Sequence, residues 1–132
     1  MPFDPTDRLV WVAGQHGMVG GAMMRRLRRE SLPLLLDPGR AVVDFRRQSE
    51  VEEWMAEHRP RIVLLTAARV AGISANDAFP ADFLYDNLLI EANIIHAAYR
   101  TEVEKLVFFG SSCIYPREAR QPIPEDALLT GP

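Results

Sequence analysis

Short unbroken apolar runs alternate along this chain with longer stretches in which apolar residues recur every three or four positions. The runs are Leu9 to Ala13, Leu32 to Leu36, Arg61 to Thr66 and Lys105 to Phe109. A strand with one wet face alternates polar and apolar residues, whereas one covered on both faces is apolar throughout, so these runs predict a parallel sheet with helices on either side. Pro33 suits the start of the second strand and would be awkward in its middle. Between the runs, Val19 to Arg29 carries Val19, Ala22, Met23 and Leu27 at helical spacing. Ser49 is a candidate N-cap for a helix from Glu50 to His58, which Pro60 stops. A long helix is predicted from Pro80, at home in a first turn, to about Arg100. Its apolar residues Phe83, Leu84, Leu88, Leu89, Ile90, Ile94, Ile95, Ala97 and Ala98 spread around more than one face, the pattern of a helix buried against the sheet and a partner.

The predicted class is therefore α/β, a doubly wound parallel sheet of about four strands. Such sheets normally run to six or so strands, and Pro116 to Pro132, with four prolines and few apolar residues, reads as a loop. Residues 1–132 are expected to form the N-terminal part of a larger domain.

The first apolar run enters Gly14-Gln15-His16-Gly17-Met18-Val19-Gly20, a three-glycine turn that opens directly into a helix. One reading is an ordinary glycine-rich turn. The other is a cradle for a dinucleotide's phosphates, in which Gly14 permits the tight turn, Gly17 admits the pyrophosphate close to the backbone, and Gly20 lets helix and strand approach. The helix N-terminus then offers N–H groups to the anion.

Composition narrows the alternatives. The 132 residues are 48% hydrophobic and 25% charged with a formal net charge of −3, ordinary for a globular domain and without general attraction to nucleic acid or anionic membranes. Arg25, Arg26, Arg28 and Arg29 read as a solvated helix face. No run reaches the roughly 20 apolar residues needed to cross a bilayer, and the N-terminus lacks signal-peptide blocks, so a cytoplasmic location is expected. The single cysteine, Cys113, excludes an internal disulfide, and His16, His58 and His96 lack the spacing of a metal motif.

The third and fourth strands end in Thr66-Ala67-Ala68-Arg69-Val70-Ala71-Gly72 and Phe109-Gly110-Ser111-Ser112-Cys113-Ile114-Tyr115-Pro116. Ligands of open α/β sheets bind at the carboxyl ends of strands, so both loops should face the dinucleotide. With the glycine turn, Pro80-Ala81-Asp82-Phe83 and Glu91-Ala92-Asn93-Ile94-Ile95-His96-Ala97-Ala98, the Ser-Ser-Cys-Ile-Tyr-Pro string makes this sequence resemble the extended short-chain dehydrogenases/reductases from about Leu9 onward. The resemblance implies a Rossmann-like fold. Within that family the match is to enzymes that epimerise GDP-4-keto-6-deoxymannose at two carbons beside its ketone and then reduce the ketone with NADPH.

On that resemblance Ser111 would hydrogen-bond the C4 carbonyl, unless it only caps a turn, and Cys113 would exchange protons at the adjacent carbons, unless it is a small buried hydrophobe. The implied cofactor contacts are Gly14, Gln15, His16, Gly17, Met18, Val19, Gly20, Arg40, Asp44, Phe45, Ala67, Ala68, Phe109 and Gly110. Arg40 would meet the 2′-phosphate of NADP(H), whereas Asp37 would favour the free ribose of NAD(H), so both cofactors stay open. His16 stands where relatives often carry arginine. Asp44-Phe45 resembles an adenine-contacting pair, the alternative being a turn carboxylate and a core aromatic. The family's Tyr-x-x-x-Lys pair is absent: Tyr85, Tyr99 and Tyr115 have no lysine four residues on, and Lys105 is the only lysine. The resemblance thus implies an oxidoreductase and epimerase that is inactive as this chain alone and works with a C-terminal half or in a homo-oligomer. The competing readings are a non-catalytic dinucleotide-binding module and another nucleotide-sugar epimerase or dehydratase.

Overall fold

The computed structural model describes residues 3–35 and 43–132. Strands β1 (Val10–Ala13), β2 (Leu34–Leu35), β3 (Ile62–Leu65) and β4 (Lys105–Phe108) form one parallel sheet in the order β2-β1-β3-β4. The inner strands β1 and β3 are buried at every position, which is why their sequences are apolar throughout. Their register pairs Val10 with Ile62 and Ala13 with Leu65. β2 is shorter than the run that suggested it, and Pro33 stands just before it, its carbonyl accepting a hydrogen bond from the Val10 N–H at 2.8 Å.

Helices cover both faces. On one, α2 (Gln48–His58) and α4 (Pro80–Arg100) enclose a core of Trp11, Val51, Trp54, Met55, Val63, Leu65, Ile94 and Ala97. Trp11 meets Phe45 edge-on at 5.6 Å between ring centroids and tilts against Trp54 at 4.5 Å. On the other face, α1 (Met18–Arg29) closes over Val10, Val12, Ile62 and Leu64.

The buried stripe of α1 differs from the expected one. Val19 and Ala22 face solvent, and Gly20, Met24 and the partly buried Met23 and Leu27 face the sheet. The reason is steric, because the helix can lie on the sheet only where a residue without a side chain passes the backbone of Gly14. The expected cap at Ser49 is also corrected. α2 begins at Gln48 after an extended Arg47, so Ser49 lies within the first turn, and no side chain caps the helix. Pro60 does follow the helix end, where Arg59 is left-handed with φ 48°.

A six-residue helix, α3 (Ile73–Ala78), precedes α4 and buries none of its residues. α4 starts at Pro80 as expected, but only one of its faces is covered. Phe83, Asn93, Ile94, Ala97 and Ala98 point inward, while Leu84, Leu88, Ile95 and Tyr99 form an exposed apolar stripe. Among the described residues no helix is long and apolar enough to cross a membrane.

Candidate functional site

The carboxyl ends of β1 and β3 meet at one sheet edge, where Thr66 ties them by donating to the carbonyl of Ala13 from its N–H and from its hydroxyl, both at 2.9 Å. The three glycines of the turn there have different jobs. Gly14 has φ +98°, a conformation that side chains rarely adopt, and a Cβ on it would stand 2.7 Å from the Ala67 nitrogen. A Cβ on Gly20 would stand 2.2 Å from the Gly14 oxygen. The fold demands both glycines. Gly17 is different: its φ of −76° suits any residue, and its Cβ would meet only the Gly14 oxygen, at 3.3 Å. It borders open space at the start of α1, which has neither a side-chain cap nor an acidic first turn. A glycine that the fold does not require, beside uncapped N–H groups, is what a bound phosphate would need.

That space is a cleft of about 420 Å³. His16, Asp44, Phe45, Ala67 and Ala68 join Gly14 and Gly17 in lining it, so seven of the expected cofactor contacts come together. Gln15, Met18, Val19 and Gly20 belong to the same turn and helix start without lining the cleft. Arg40 and Asp37 lie outside the described residues. The structure shows the turn carboxylate and the core aromatic of the alternative reading of Asp44-Phe45. Asp44 accepts from the Arg46 N–H at 3.1 Å as in a turn, Phe45 packs on Trp11, and both line the cleft.

The fourth strand continues alongside the third, the Phe109 N–H donating to the Leu65 carbonyl at 3.1 Å. Phe109, Gly110, Ser111 and Cys113 follow it, all exposed and none lining the cleft. Ser111 does cap a short 3-10 turn, Ser112–Ile114, its hydroxyl oxygen accepting from the Cys113 N–H at 3.1 Å. That bond leaves the Ser111 O–H available as a donor. Cys113 is an exposed free thiol, which corrects the buried-hydrophobe alternative. No group of three or more His, Cys, Asp or Glu suited to a metal occurs among the described residues.

Sequence reasoning missed an ionic network in the cleft wall. The Arg46 guanidinium donates to Asp44 at 2.6 Å and to Asp86 at 3.3 Å, while Arg69 donates to the other Asp86 oxygen at 2.9 Å and lies 4.5 Å from the Phe83 ring centroid. Asp86 is only 7% exposed. Burial would raise its pKa, but the hydrogen bonds from Arg69 and Arg46 outweigh that and hold the carboxyl below its ordinary range. Arg46 is held charged by Asp44 first and Asp86 second. A sequence signal for Asp86 existed, since it sits between Phe83 and Ile90 on the inward stripe of α4.

A parallel sheet in this order, with a glycine turn feeding a helix at its carboxyl edge, defines the Rossmann-like class of nucleotide-binding folds. The chain belongs to the NAD dependent epimerase/dehydratase family, whose model matches residues 10–132. It is 52% identical over 123 residues to a GDP-L-fucose synthase of Sinorhizobium fredii, an alignment covering 93% of this chain and 39% of that protein. Among solved structures it superposes with a TM-score of 0.89 and 37% identity on a GDP-D-glycero-L-gluco-heptose synthase from Campylobacter jejuni crystallised in the presence of NADPH, covering 98% of this chain and 38% of that one. A GDP-L-fucose synthetase from Naegleria fowleri bound to NADP gives a TM-score of 0.82 at 27% identity, with coverage of 100% and 42%. The chain thus spans about two-fifths of the length of these relatives.

Proposed function

We propose that this chain is the NADP(H)-binding part of a GDP-L-fucose synthase, which epimerises GDP-4-keto-6-deoxymannose and reduces its ketone. Gly17 carries the reading, because the fold leaves its position open toward the cleft where a Cβ would intrude on a ligand. The first turn of α1 presents N–H groups to the pyrophosphate, and Ala67 and Ala68 keep the opposite wall low. His16 and Arg40 meet the adenosine phosphate. Bound NADPH would supply the hydride for ketone reduction. Ser111 donates its O–H to the C4 carbonyl and stabilises the enolate that forms when a neighbouring proton leaves. Cys113 exchanges that proton through its exposed thiol.

The test is titration of the purified chain with NADPH and NADH, following nicotinamide fluorescence together with the melting temperature. NADPH binding preferred over NADH is expected. Absence of binding by either dinucleotide would refute the assignment. Mixing the chain with a separately produced C-terminal half should restore ketone reduction, and Cys113→Ser in that mixture should abolish solvent-deuterium incorporation beside the ketone. Persistent inactivity of a mixture that binds NADPH would leave the non-catalytic module as the correct reading.

A further inference from the structure

Charge is unevenly spread around the cleft. On the α1 side of the sheet, the glycine turn and the first turn of α1 bring uncapped N–H groups and no carboxylate. On the α4 side, four charged side chains line the cleft among the described residues: the carboxylates of Asp44 and Asp86 and the guanidiniums of Arg46 and Arg69. Their formal charges cancel, and they cancel in contact as well as in sum. Arg46 donates to Asp44 from Nε at 2.9 Å and from Nη2 at 2.6 Å, and to Asp86 from Nη1 at 3.3 Å. Arg69 donates to Asp86 at 2.9 Å and meets no other carboxylate among the described residues. Buried Asp86 is thus the one group that answers both guanidiniums, each of which belongs to a side chain about one-third exposed.

Resting on the dinucleotide reading above, we propose that Asp86 is a specificity-determining residue that directs the ligand's pyrophosphate to the glycine turn, by cancelling the guanidiniums of the α4-side wall. A phosphate entering the cleft goes to the wall that answers its charge best. The start of a helix offers roughly half an elementary charge, whereas an unpaired guanidinium offers a whole one in a planar fork that fits two phosphate oxygens. Left to themselves, Arg46 and Arg69 would therefore outcompete the turn. Asp44 can answer only Arg46, so it cannot silence this wall alone. Asp86 supplies the second negative charge and shares it between the two loops that carry the arginines. A pyrophosphate drawn to these arginines would leave α1, and the rest of the dinucleotide would be displaced with it. Asp86 sets the direction of binding through the arginines, without itself meeting the ligand.

The experiment titrates inorganic pyrophosphate into the 15N-labelled chain at low salt and follows the backbone amides by NMR. In the wild type the Met18 and Val19 amides should shift, and those of Arg46 and Arg69 should not. Asp86→Asn keeps the side chain's shape and removes its charge. In that variant the Arg46 and Arg69 amides should shift as well, and pyrophosphate should bind about fivefold more tightly, the worth of one unpaired charge at about 4 Å in water. The gain should vanish in Asp86→Asn/Arg69→Met and at high salt. A carboxylate that only stabilised the fold would yield no gain of anion binding when neutralised. Should Asp86→Asn fail to fold, Asp44→Asn must bring the same new shift at Arg46, because it uncovers the same guanidinium. A wild type that already takes pyrophosphate at Arg46 and Arg69, or a neutralised variant that gains nothing there, would overturn the proposal while leaving the glycine turn standing. A wild type whose Met18 and Val19 amides do not respond would overturn both.

Discussion

Adding one methyl group to Gly20 should damage chiefly the fold, whereas adding one to Gly17 should damage chiefly binding. The Gly20 methyl would lie 2.2 Å from the Gly14 oxygen and 2.9 Å from the Thr66 hydroxyl. Gly14 is held in its turn, its carbonyl accepting from the Gly17 N–H at 2.9 Å while the Gln15 N–H donates to the Val12 carbonyl at 3.1 Å. The start of α1 must therefore move outward by about 1 Å to reach ordinary contact distance. Overpacking of this kind costs about 1–3 kcal/mol, and the rigid neighbour places Gly20→Ala near the upper end. The better helix propensity of alanine offsets about 1 kcal/mol, leaving a net loss of about 2 kcal/mol. For a domain of this size that lowers the melting temperature by roughly 8 °C. Gly17→Ala has an ordinary φ, and its one close contact, 3.3 Å to the Gly14 oxygen, needs a shift of only a few tenths of an ångström, so with the poorer N-cap its cost is about 1 kcal/mol, below that of Gly20→Ala. Its NADPH affinity should nonetheless fall at least about tenfold, since the methyl occupies the line of approach to the phosphate. Thermal unfolding with and without NADPH reads both effects. Equal melting losses for the two variants, or an unaltered Kd for Gly17→Ala, would refute the division of labour among the glycines.

Acid should destabilise the chain through carboxylates held by arginines. Asp86 is kept below its ordinary pKa against burial by Arg69 and Arg46, and Glu104 by Arg8 and then Arg61. Between the depressed folded values and the usual range the unfolded chain binds more protons, so stability is full above about pH 5 and falls as pH drops through the folded values. Melting temperatures from pH 7 to pH 3 should show that fall, Glu104→Gln should shrink it, and a flat profile in the wild type would contradict the assignment. Met55→Ala empties a fully buried position between α2 and the sheet and should cost about 2–5 kcal/mol in denaturant unfolding. Cys113 should react with a thiol reagent in the native chain about as fast as in urea, because it is exposed; slow native reaction would show that it is covered.

The elements legible in the sequence were those whose residues answer to a single neighbour type. β1 and β3 read correctly because both faces of each are apolar surroundings, and α4 because Pro80 marks its start. The face of α1 was not legible from hydrophobicity, since Val19 is more apolar than Gly20 and yet lies outside. Close approach to Gly14, not burial of side chains, decides that rotation. α3 escaped notice because it buries nothing and so leaves no periodic trace. In the site, the glycine turn and Asp44-Phe45 were visible as local strings. The pairing of Arg46 with Asp86 was not, because it joins residues 40 positions apart through charges that each look like ordinary surface groups.

The strand order also sets a timetable for synthesis. β1 emerges first and is one of the two inner strands, yet its long partner β3 begins 52 positions after β1 does. Until then only the two-residue β2 is available to it, and Trp11 lacks the Trp54 and Val63 surroundings that complete its burial. A growing chain must therefore carry an apolar strand with only β2 beside it through about 50 residues of synthesis, which at about 5–20 residues per second is several seconds of exposure to chaperones before the sheet can close.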